Sequence, residues 1–505
     1  MNYCDSLIAR QKQDHKKRLM FEVETGRTLT FGETLSRVRS LAADLKRRGI
    51  GPKSAVALHL FNSIDAALFH MAVQYVGARS CLIDALIQPK ALDYYVRLTE
   101  STLLVTHVRE DALAEAGLSS LDTIFADDIR SLSEIAPPSG LSDPVDRPDD
   151  DTAYIYFTSG TTSTPKGVML SPGNHKIFTA ICDTYWQPVT ESSKHICFVP
   201  FSHGFGTVFL LPLAMRTASE LYIMRAFHPL RVADTVAKHG ITHMYGVPSH
   251  YQQLLRLPNA RSVLTSIEAA FCAAAKLEHS LMLEWEDASG TILCEGYGLI
   301  ETCCGIVWRV GTPSLGTGHM GPCPDPSLAA IQIFDKDLRP VPRGETGQIA
   351  VRGPSVMKGY LHQQEETDRV MHDGWFLTGD EGHITPEGEL FMTGRIKDII
   401  NIAGIKVSPY EVEAVLEAHP SIAEVAVVAA PDKLYGEVVK AFIRLEPGRS
   451  VTERDLIRFA SEHLINFQVP KIVDFVDKFP LNNMGKLDRK KLKAMSDEKH
   501  MGSIK

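Results

Sequence analysis

Apolar and polar positions along the N-terminal part of the chain alternate between a helical period and short continuous apolar runs. Apolar residues recur at helical spacing from Thr28 to Arg48 and from Asp65 to Val76, and an apolar run from Ala55 to Leu60 separates them. Short apolar runs between polar turns are typical of strands buried on both faces of a parallel sheet. The pattern therefore predicts an α/β structure of layered sheets and helices.

The same alternation continues to about residue 310. A helix is predicted from Pro229 to His239, among short buried strands. These strands are Ile196 to Val199, Leu221 to Met224, His243 to Tyr245 and Thr291 to Cys294.

The pattern of the sequence changes after Gly318, where short apolar runs are separated by Gly and Pro up to residue 393. This pattern predicts a β-rich subdomain over about 318–393. Its predicted strands are Ala329 to Phe334, Gly347 to Arg352 and Gly388 to Thr393. An α+β pattern follows Asp398 and predicts a separate small domain. Its predicted elements are helices Pro409 to Ala418 and Glu453 to Leu464 and strands Glu424 to Ala429, Val438 to Leu445 and Ile472 to Val476.

Size and charge narrow the classes of function. A chain of 505 residues is too long for a single core, so two or three domains are expected. A formal charge of -8 argues against a general nucleic-acid or membrane-surface binder. Nine cysteines without a C-x-x-C pair predict reduced thiols and a cytoplasmic location, and the sequence has neither a secretory h-region nor an apolar run of membrane-spanning length.

The segment from Tyr154 to Val168 combines six Ser/Thr hydroxyls, two glycines and one lysine directly after an apolar run. Glycine lets the backbone approach an anion closely, and hydroxyl and NH groups donate hydrogen bonds to phosphate oxygens. Lys166 follows a proline and precedes Gly167, whereas the lysine of a Walker A loop opens a helix. The segment therefore predicts a phosphate-binding loop that is not a P-loop.

Three more motifs follow in order. In Gly296 to Thr302, an aromatic ring between two glycines can lie against a base, and the carboxylate of Glu301 can hold a metal that bridges phosphates. In Trp375 to Asp380, followed by Gly394 to Asp398, one carboxylate can accept hydrogen bonds from both ribose hydroxyls. The fourth motif, Pro480 to Arg489, carries a lysine on a predicted loop.

These four ordered motifs resemble the signature of the adenylate-forming superfamily. The resemblance covers the chain from the helix after Leu29 to Leu492. That superfamily includes acyl-CoA and aryl-CoA synthetases, stand-alone adenylation enzymes, peptide-synthetase adenylation domains and beetle luciferases. The resemblance implies ATP and Mg²⁺, a carboxylic acid that becomes an acyl-adenylate with release of pyrophosphate, and transfer to a phosphopantetheine thiol, with CoA preferred. It also implies an adenylation domain over 1–393, a hinge over 394–398 and a mobile domain over 399–505.

The resemblance carries roles to individual residues. Lys486 bridges the carboxylate and the ATP phosphate, Glu301 serves Mg²⁺, Lys397 is the hinge, and Gly404 belongs to the thiol tunnel. The nucleotide is bound by Thr158, Ser159, Gly160, Thr161, Thr162, Lys166, Ala274, Gly296, Tyr297, Gly298, Thr302, Asp380 and Arg395.

The acid pocket is expected beside the segment Pro200 to Gly206, where a histidine gates the substrate in acyl-activating relatives. This segment lacks the aspartate that pairs with the ammonium group in amino-acid-activating relatives, so an α-amino acid is disfavoured. The expected lining of the pocket is small and apolar, which favours a medium or short acyl chain or an aryl acid. The expected pocket residues are His203, Phe205, Cys272, Ala273, Cys303 and Cys304.

Three positions depart from the family pattern: Ser163, Ile300 and Asn401. Ile300 replaces a threonine whose hydroxyl lies near the α-phosphate in relatives, so the role of that hydroxyl is either unfilled or taken over by Thr302. Two alternative functions remain beside the CoA ligase. An enzyme that loads a carrier protein would share every motif, because both acceptors present the same phosphopantetheine thiol, and the departures at Ser163 and Ile300 suggest a nucleotide-binding protein with impaired catalysis. Neither nucleic acid nor a membrane is an expected partner.

Overall fold

The computed structural model describes residues 3–158, 165–185, 189–275, 277–316, 318–403, 405–432, 434–481 and 486–502. No helix in these ranges is both long and apolar enough to cross a membrane.

The strands, in chain order, are β1 (Arg18–Glu22), β2 (Thr28–Thr30), β3 (Ala55–His59), β4 (Arg79–Leu82), β5 (Leu103–Thr106), β6 (Asp122–Phe125), β7 (Tyr154–Thr158), β8 (Lys166–Leu170), β9 (Lys194–Cys197), β10 (Glu220–Ile223), β11 (His243–Gly246), β12 (Ala269–Ala273), β13 (Leu293–Leu299), β14 (Cys304–Arg309), β15 (His319–Pro322), β16 (Ala330–Phe334), β17 (Gly347–Arg352), β18 (Gly359–Tyr360), β19 (Met371–His372), β20 (Trp375–Ile384), β21 (Glu389–Arg395), β22 (Ile400–Ile402), β23 (Ile405–Val407), β24 (Ile422–Asp432), β25 (Gly436–Leu445) and β26 (Ile472–Phe475).

The helices, in chain order, are α1 (Asp5–Asp14), α2 (Phe31–Arg47), α3 (Ile64–Tyr75), α4 (Pro89–Leu98), α5 (Glu110–Glu115), α6 (Ala126–Glu134), α7 (Pro172–Tyr185), α8 (Leu211–Thr217), α9 (Pro229–His239), α10 (Pro248–Leu255), α11 (Ala260–Val263), α12 (His279–Ser289), α13 (Pro326–Ala329), α14 (Gln364–Val370), α15 (Pro409–Glu417), α16 (Glu453–His463) and α17 (Arg489–Gly502). A π-helical segment, Phe205–Leu210, leads into α8.

Two mostly parallel sheets form the N-terminal part of the molecule. One has the strand order β14-β13-β12-β11-β9-β10-β1-β2 and the other β18-β8-β7-β4-β3-β5-β6. In each sheet the antiparallel strands lie at the ends of this order. The two sheets share one large hydrophobic core, which agrees with the predicted layered α/β class.

The remaining strands form two smaller sheets. An antiparallel sheet has the order β15-β21-β20-β17-β16, with β19 paired to β20, and occupies the predicted β-rich region. The C-terminal sheet has the order β23-β22-β25-β24, with β26 beside β25, and it has a hydrophobic core of its own between Ile400 and Val473. This second core explains why the α+β pattern begins near residue 399.

Most predicted elements lie within two residues of the observed ones, and two differences are informative. Thr30 ends β2 and caps α2 through a reciprocal capping box with Glu33, so the helical pattern begins later than its apolar period suggested. The strand predicted from Thr291 to Cys294 runs instead from Leu293 to Leu299, because pairing with β14 extends it through the second motif.

Candidate active site

The base of the predicted phosphate loop is a hairpin between two strands. Thr158 ends β7 and lies opposite Lys166, the first residue of β8. Ser159, Gly160, Thr161, Thr162 and Ser163 lie outside the described residues. The hairpin therefore fixes the two ends of this loop at the carboxyl end of a parallel strand, where α/β folds bind ligands.

Lys166 is engaged by protein groups in this structure. Its ammonium nitrogen lies 2.5 Å from Oε2 of Glu366 and 4.8 Å from the ring centre of Tyr360. The sequence predicted a phosphate ligand here, and the prediction did not include Glu366. Because Glu366 is 200 residues away in the chain, local sequence contained no signal for this ion pair.

Glu301 lies on a short 3₁₀ turn and is buried. Its Oε1 accepts a 3.0 Å hydrogen bond from the hydroxyl of Tyr360, another residue that sequence reasoning missed. Burial raises the pKa of Glu301, and the bond from Tyr360 opposes that rise.

A single buried carboxylate fits an ATP-bound magnesium ion. The described residues contain no group of three or more His, Cys, Asp or Glu side chains arranged to hold a metal. Mg²⁺ commonly takes one or two protein carboxylates and completes its shell with substrate phosphates and water. Glu301 therefore suits Mg²⁺ that arrives with the nucleotide.

Tyr297, Asp380 and Arg395 form one connected group. The Tyr297 hydroxyl donates to Oδ2 of Asp380 at 2.9 Å, and Nε of Arg395 lies 3.1 Å from Oδ1. Asp380 and Arg395 are direct partners across the β20–β21 hairpin, so backbone pairing sets their separation. Burial raises the pKa of Asp380 and the charge of Arg395 opposes that shift. The structure thus brings the predicted adenine and ribose residues together.

Lys486 comes from the C-terminal part of the chain and lies next to an isolated β-bridge between Leu481 and Leu487. Burial and the positive charge of Arg395 lower the pKa of Lys486 to about 8. Burial lowers the pKa of His203 to about 3, and the positive charge of Lys486 adds to this effect. Lys486, Arg395 and His203 come from three distant segments and yet lie close enough for charge on one to affect the next.

His203 is a neutral imidazole at physiological pH, since its pKa is far below 7. Its Nδ1 accepts a hydrogen bond from the backbone NH of Phe205 at 3.3 Å. An accepting Nδ1 leaves the proton on Nε2, so that nitrogen is the donor of the ring. His203 is therefore suited to donate a hydrogen bond to an anionic group without carrying a charge.

Arg489 fastens the segment that carries Lys486. Its Nη2 donates to both carboxylate oxygens of Glu413 at 2.7 and 2.9 Å, and its Nη1 donates to the carbonyl of Val427 at 2.6 Å. Its guanidinium also lies 4.9 Å from the ring centre of Tyr410. Charge-assisted hydrogen bonds of this kind fix geometry as well as charge, so Arg489 anchors the chain three residues after Lys486 to α15 and β24.

The predicted pocket residues do not all share one face. Cys304 lies close to Gly204, where an added Cβ would come within 2.2 Å of the Cys304 sulfur. Cys272, by contrast, pairs in register with Glu295, and Ala273 pairs with Gly296. Successive strand residues point to opposite faces. Ala273 thus lies on the same face of the sheet as Gly296, and Cys272 lies on the opposite face. The prediction that Cys272 lines the same pocket as Ala273 was therefore wrong.

Three further predicted residues, Thr302, Ala274 and Lys397, can be placed in the structure. The Thr302 hydroxyl donates to the carbonyls of Leu299 and Cys304 and accepts from the NH of Leu299, so its own loop already engages it. This engagement disfavours Thr302 as a substitute for the hydroxyl that Ile300 lacks. Ala274 follows β12 with a φ of 72°, in the left-handed region. Lys397 lies in a 3₁₀ turn, Ile396–Asp398, and Gly404 lies outside the described residues.

Comparison with known proteins agrees with this arrangement. Residues 8–361 match the family "AMP-binding enzyme", and residues 411–486 match "AMP-binding enzyme C-terminal domain". The chain belongs to the AMP-binding enzyme family. Within that family, the chain is 30% identical to a long-chain-fatty-acid–CoA ligase of Bacillus subtilis, over 94% of this chain and 91% of that protein. It is also 30% identical to 4-coumarate–CoA ligase 3 of rice, Oryza sativa subsp. japonica, over 97% of this chain and 91% of that protein.

A solved structure shows the same likeness over the whole chain. ATP-bound MatB of Rhodopseudomonas palustris superposes with a TM-score of 0.89 at 27% identity, covering 98% of this chain and 99% of that one. The protein is an AMP-forming acid–thiol ligase of the acyl- and aryl-CoA ligase type, with ATP, Mg²⁺ and CoA as its cofactor and co-substrates. These findings confirm the predicted superfamily, fold class and reaction type.

Proposed function

We propose that the protein joins a small carboxylic acid to CoA, with Lys486 as the group that assists acyl-adenylate formation and His203 as a neutral gate of the acid pocket. The observation that carries this proposal is the hydrogen-bonded group of Tyr297, Asp380 and Arg395. Lys486 lies near enough to this group for Arg395 to lower its pKa, and near enough to His203 to lower the pKa of the imidazole. CoA is favoured over a carrier protein because the relatives described above are CoA ligases. The free cysteines are consistent with the cytoplasmic location that we infer.

The first step requires two anions to approach each other. The substrate carboxylate attacks the α-phosphorus of ATP, the bond to pyrophosphate breaks, and a mixed anhydride forms. The ammonium of Lys486 would lie between carboxylate and phosphate and reduce their repulsion, while the Nε2 proton of His203 is available to the acid. Mg²⁺ held by Glu301 would neutralise phosphate charge.

The nucleotide would be held by the group around Asp380. Its carboxylate is already fixed by Tyr297 and Arg395, so it presents its remaining lone pairs to ribose without further ordering. Lys166 must leave Glu366, at least in part, if it is to contact a phosphate as predicted.

We also propose that residues 394–398 form a hinge about Lys397, dividing an adenylation domain over 1–393 from a mobile domain over 399–505. Separate hydrophobic cores on the two sides of this segment support the division. Rotation there would remove Lys486 from the site and bring in the face that carries Gly404 for the thiol step, which separates two incompatible environments.

A carboxylic-acid panel tests the function. Aliphatic, aryl and amino acids are each supplied with ATP and hydroxylamine, and hydroxamate is measured; the best acid is then offered with CoA and, separately, with a holo-carrier protein. Efficient CoA thioester formation supports the proposal. Preference for the carrier protein would instead make it a carrier-loading enzyme, and absence of hydroxamate and pyrophosphate exchange throughout would favour a nucleotide-binding protein without catalysis.

The pH profile of adenylation should report the titration of Lys486. Its ammonium form screens the two anions and is lost as pH rises through about 8, so kcat/KM for ATP in pyrophosphate exchange should fall about tenfold per unit above that pH. The Lys486→Arg variant stays positively charged above pH 8, so its remaining exchange activity should not fall with rising pH in this range. A wild-type profile that stays flat to about pH 9.5 would contradict the assignment.

Asp380→Asn should weaken nucleotide binding. The amide keeps the shape but loses a charged acceptor, and hydrogen bonds to charged groups contribute about 1.5–3 kcal/mol, so the KM for ATP should rise about tenfold or more. The KM for the acid should change much less. The control is Asp337→Asn, on an exposed turn between β16 and β17, for which ATP saturation should match the wild type.

A further inference from the structure

Trp308 occupies the space that two glycines leave open beside the nucleotide motif. An added Cβ at Gly296 would lie 2.1 Å from Cζ3 of the Trp308 ring, and one at Gly305 would lie 2.0 Å from its Cζ2. Trp308 is directly opposite Gly296 across β13 and β14 and is 4% exposed. The indole therefore fits against bare backbone on two sides.

Three more aromatic rings border the same space. Phe205, from the π-helical segment after the His203 gate, has its ring centre 6.3 Å from that of Trp308. Phe271 lies 6.4 Å from Trp308, and its ring is stacked on Tyr245 at 5.3 Å. These four side chains, here called the aromatic wall, are all at most 9% exposed.

The wall lies on the sheet face where the acid pocket is proposed. Ala273 pairs with Gly296, which pairs with Trp308, so the three residues form a row across adjacent strands. Residues directly across a sheet project to the same face. An acyl group that extends over Ala273 and Gly296 therefore meets the indole of Trp308 instead of an open channel.

We infer that Trp308 is the chain-length determinant of this enzyme, closing the acid pocket so that it accepts short aliphatic carboxylic acids in preference to medium and long ones. This inference rests on the proposed function and names its substrate class. A well-packed core resists added volume, and each methylene that a pocket cannot accommodate changes discrimination by about 1–3 kcal/mol, or about 10-fold to 200-fold. The inferred class differs from the long-chain acids in the name of the Bacillus subtilis relative.

Binding of acyl-adenylate mimics tests the inference without turnover. N-acylsulfamoyl adenosines with acyl groups of two, four, eight and ten carbons, and a benzoyl analogue, are titrated against wild type and Trp308→Ala by calorimetry. The wild type should prefer the four-carbon over the eight-carbon analogue by at least about tenfold, and Trp308→Ala should reverse or abolish that preference. The ratio of kcat/KM for butanoate and octanoate should change in parallel.

Two results would overturn the inference: equal wild-type affinity for the four- and eight-carbon analogues, or an unchanged chain-length profile in Trp308→Ala. Tightest wild-type binding of the benzoyl analogue would likewise replace it with an aryl acid. If Trp308→Ala does not fold, the ratio of affinities for the four- and eight-carbon analogues is measured in Trp308→Leu instead.

The matched control is Trp285→Leu, a second buried tryptophan, which packs edge-on to Tyr251 at 4.8 Å, outside the aromatic wall. It should lower stability and leave the chain-length profile unchanged. Failure of the proposed function itself is distinguishable, because then either no acid supports pyrophosphate exchange or the best acid is transferred to a carrier protein instead of CoA, whatever the chain-length profile of analogue binding.

Discussion

Replacing Lys486 by alanine is expected to slow acyl-adenylate formation about 100-fold or more, the usual effect of removing one donor that acts at developing charge. The charge of Arg395 acts on Lys486 and the charge of Lys486 acts on His203, so the ammonium group lies near both the nucleotide residues and the acid gate. Since the charge is required while carboxylate and phosphate approach each other, kcat should fall more than the affinity for either substrate changes.

Pyrophosphate exchange measures this step, and a second assay separates it from the thiol step. Supplied with preformed acyl-adenylate and CoA, the Lys486→Ala variant should form thioester at nearly the wild-type rate. Lys493→Ala is the matched control, because Lys493 is half exposed and pairs only loosely with Glu437 at 3.7 Å. Unchanged exchange in Lys486→Ala would remove Lys486 from the mechanism.

Replacing Arg489 by methionine is expected to destabilise the C-terminal part of the molecule by about 3–5 kcal/mol, the typical cost of breaking a buried ion pair on one side. The carboxylate of Glu413 is 2% exposed and would lose its bidentate partner, and the carbonyl of Val427 would lose a donor. The segment before α17 would also lose its anchor, so adenylation should fall together with stability.

Hydrogen exchange over residues 405–481 is the appropriate measurement. All four tryptophans precede residue 394, so their fluorescence reports mainly on the other part of the chain. The double variant Glu413→Met/Arg489→Met should be more stable than Arg489→Met, because it leaves no buried charge unpaired. The surface control Arg458→Met breaks an exposed pair with Asp455 and should change protection by well under about 1 kcal/mol. Equal protection in Arg489→Met and wild type would contradict the anchoring role.

The sequence predicts groups whose chemistry lies within one short segment. Tyr297, Glu301, Asp380 and Lys486 each belong to a motif whose order and spacing are readable. In the structure Tyr297 donates to Asp380, and the charge of Arg395 acts on both Glu301 and Lys486. Element bounds were predicted well where Pro or Gly marks an end, as at Pro229, which opens α9.

Contacts that depend on register or on long sequence separation were not predictable in this way. Tyr360 reaches Glu301 from 59 residues away and belongs to no recognised motif. Cys272 was assigned to the acid pocket because it adjoins Ala273, but a difference of one residue in a strand reverses the face. The role of Trp308 depends likewise on its pairing with Gly296, which only the fold reveals.

The position of Lys486 also has a consequence for the order of events. In the orientation of this structure, two cations, Lys486 and Arg395, face each other closely enough for one to lower the pKa of the other. Arg395 is already paired with Asp380, and bound ATP would add negative charge beside Lys486, most of which departs with pyrophosphate. If residues 394–398 act as the proposed hinge, this loss of negative charge would favour the rotation that precedes the thiol step.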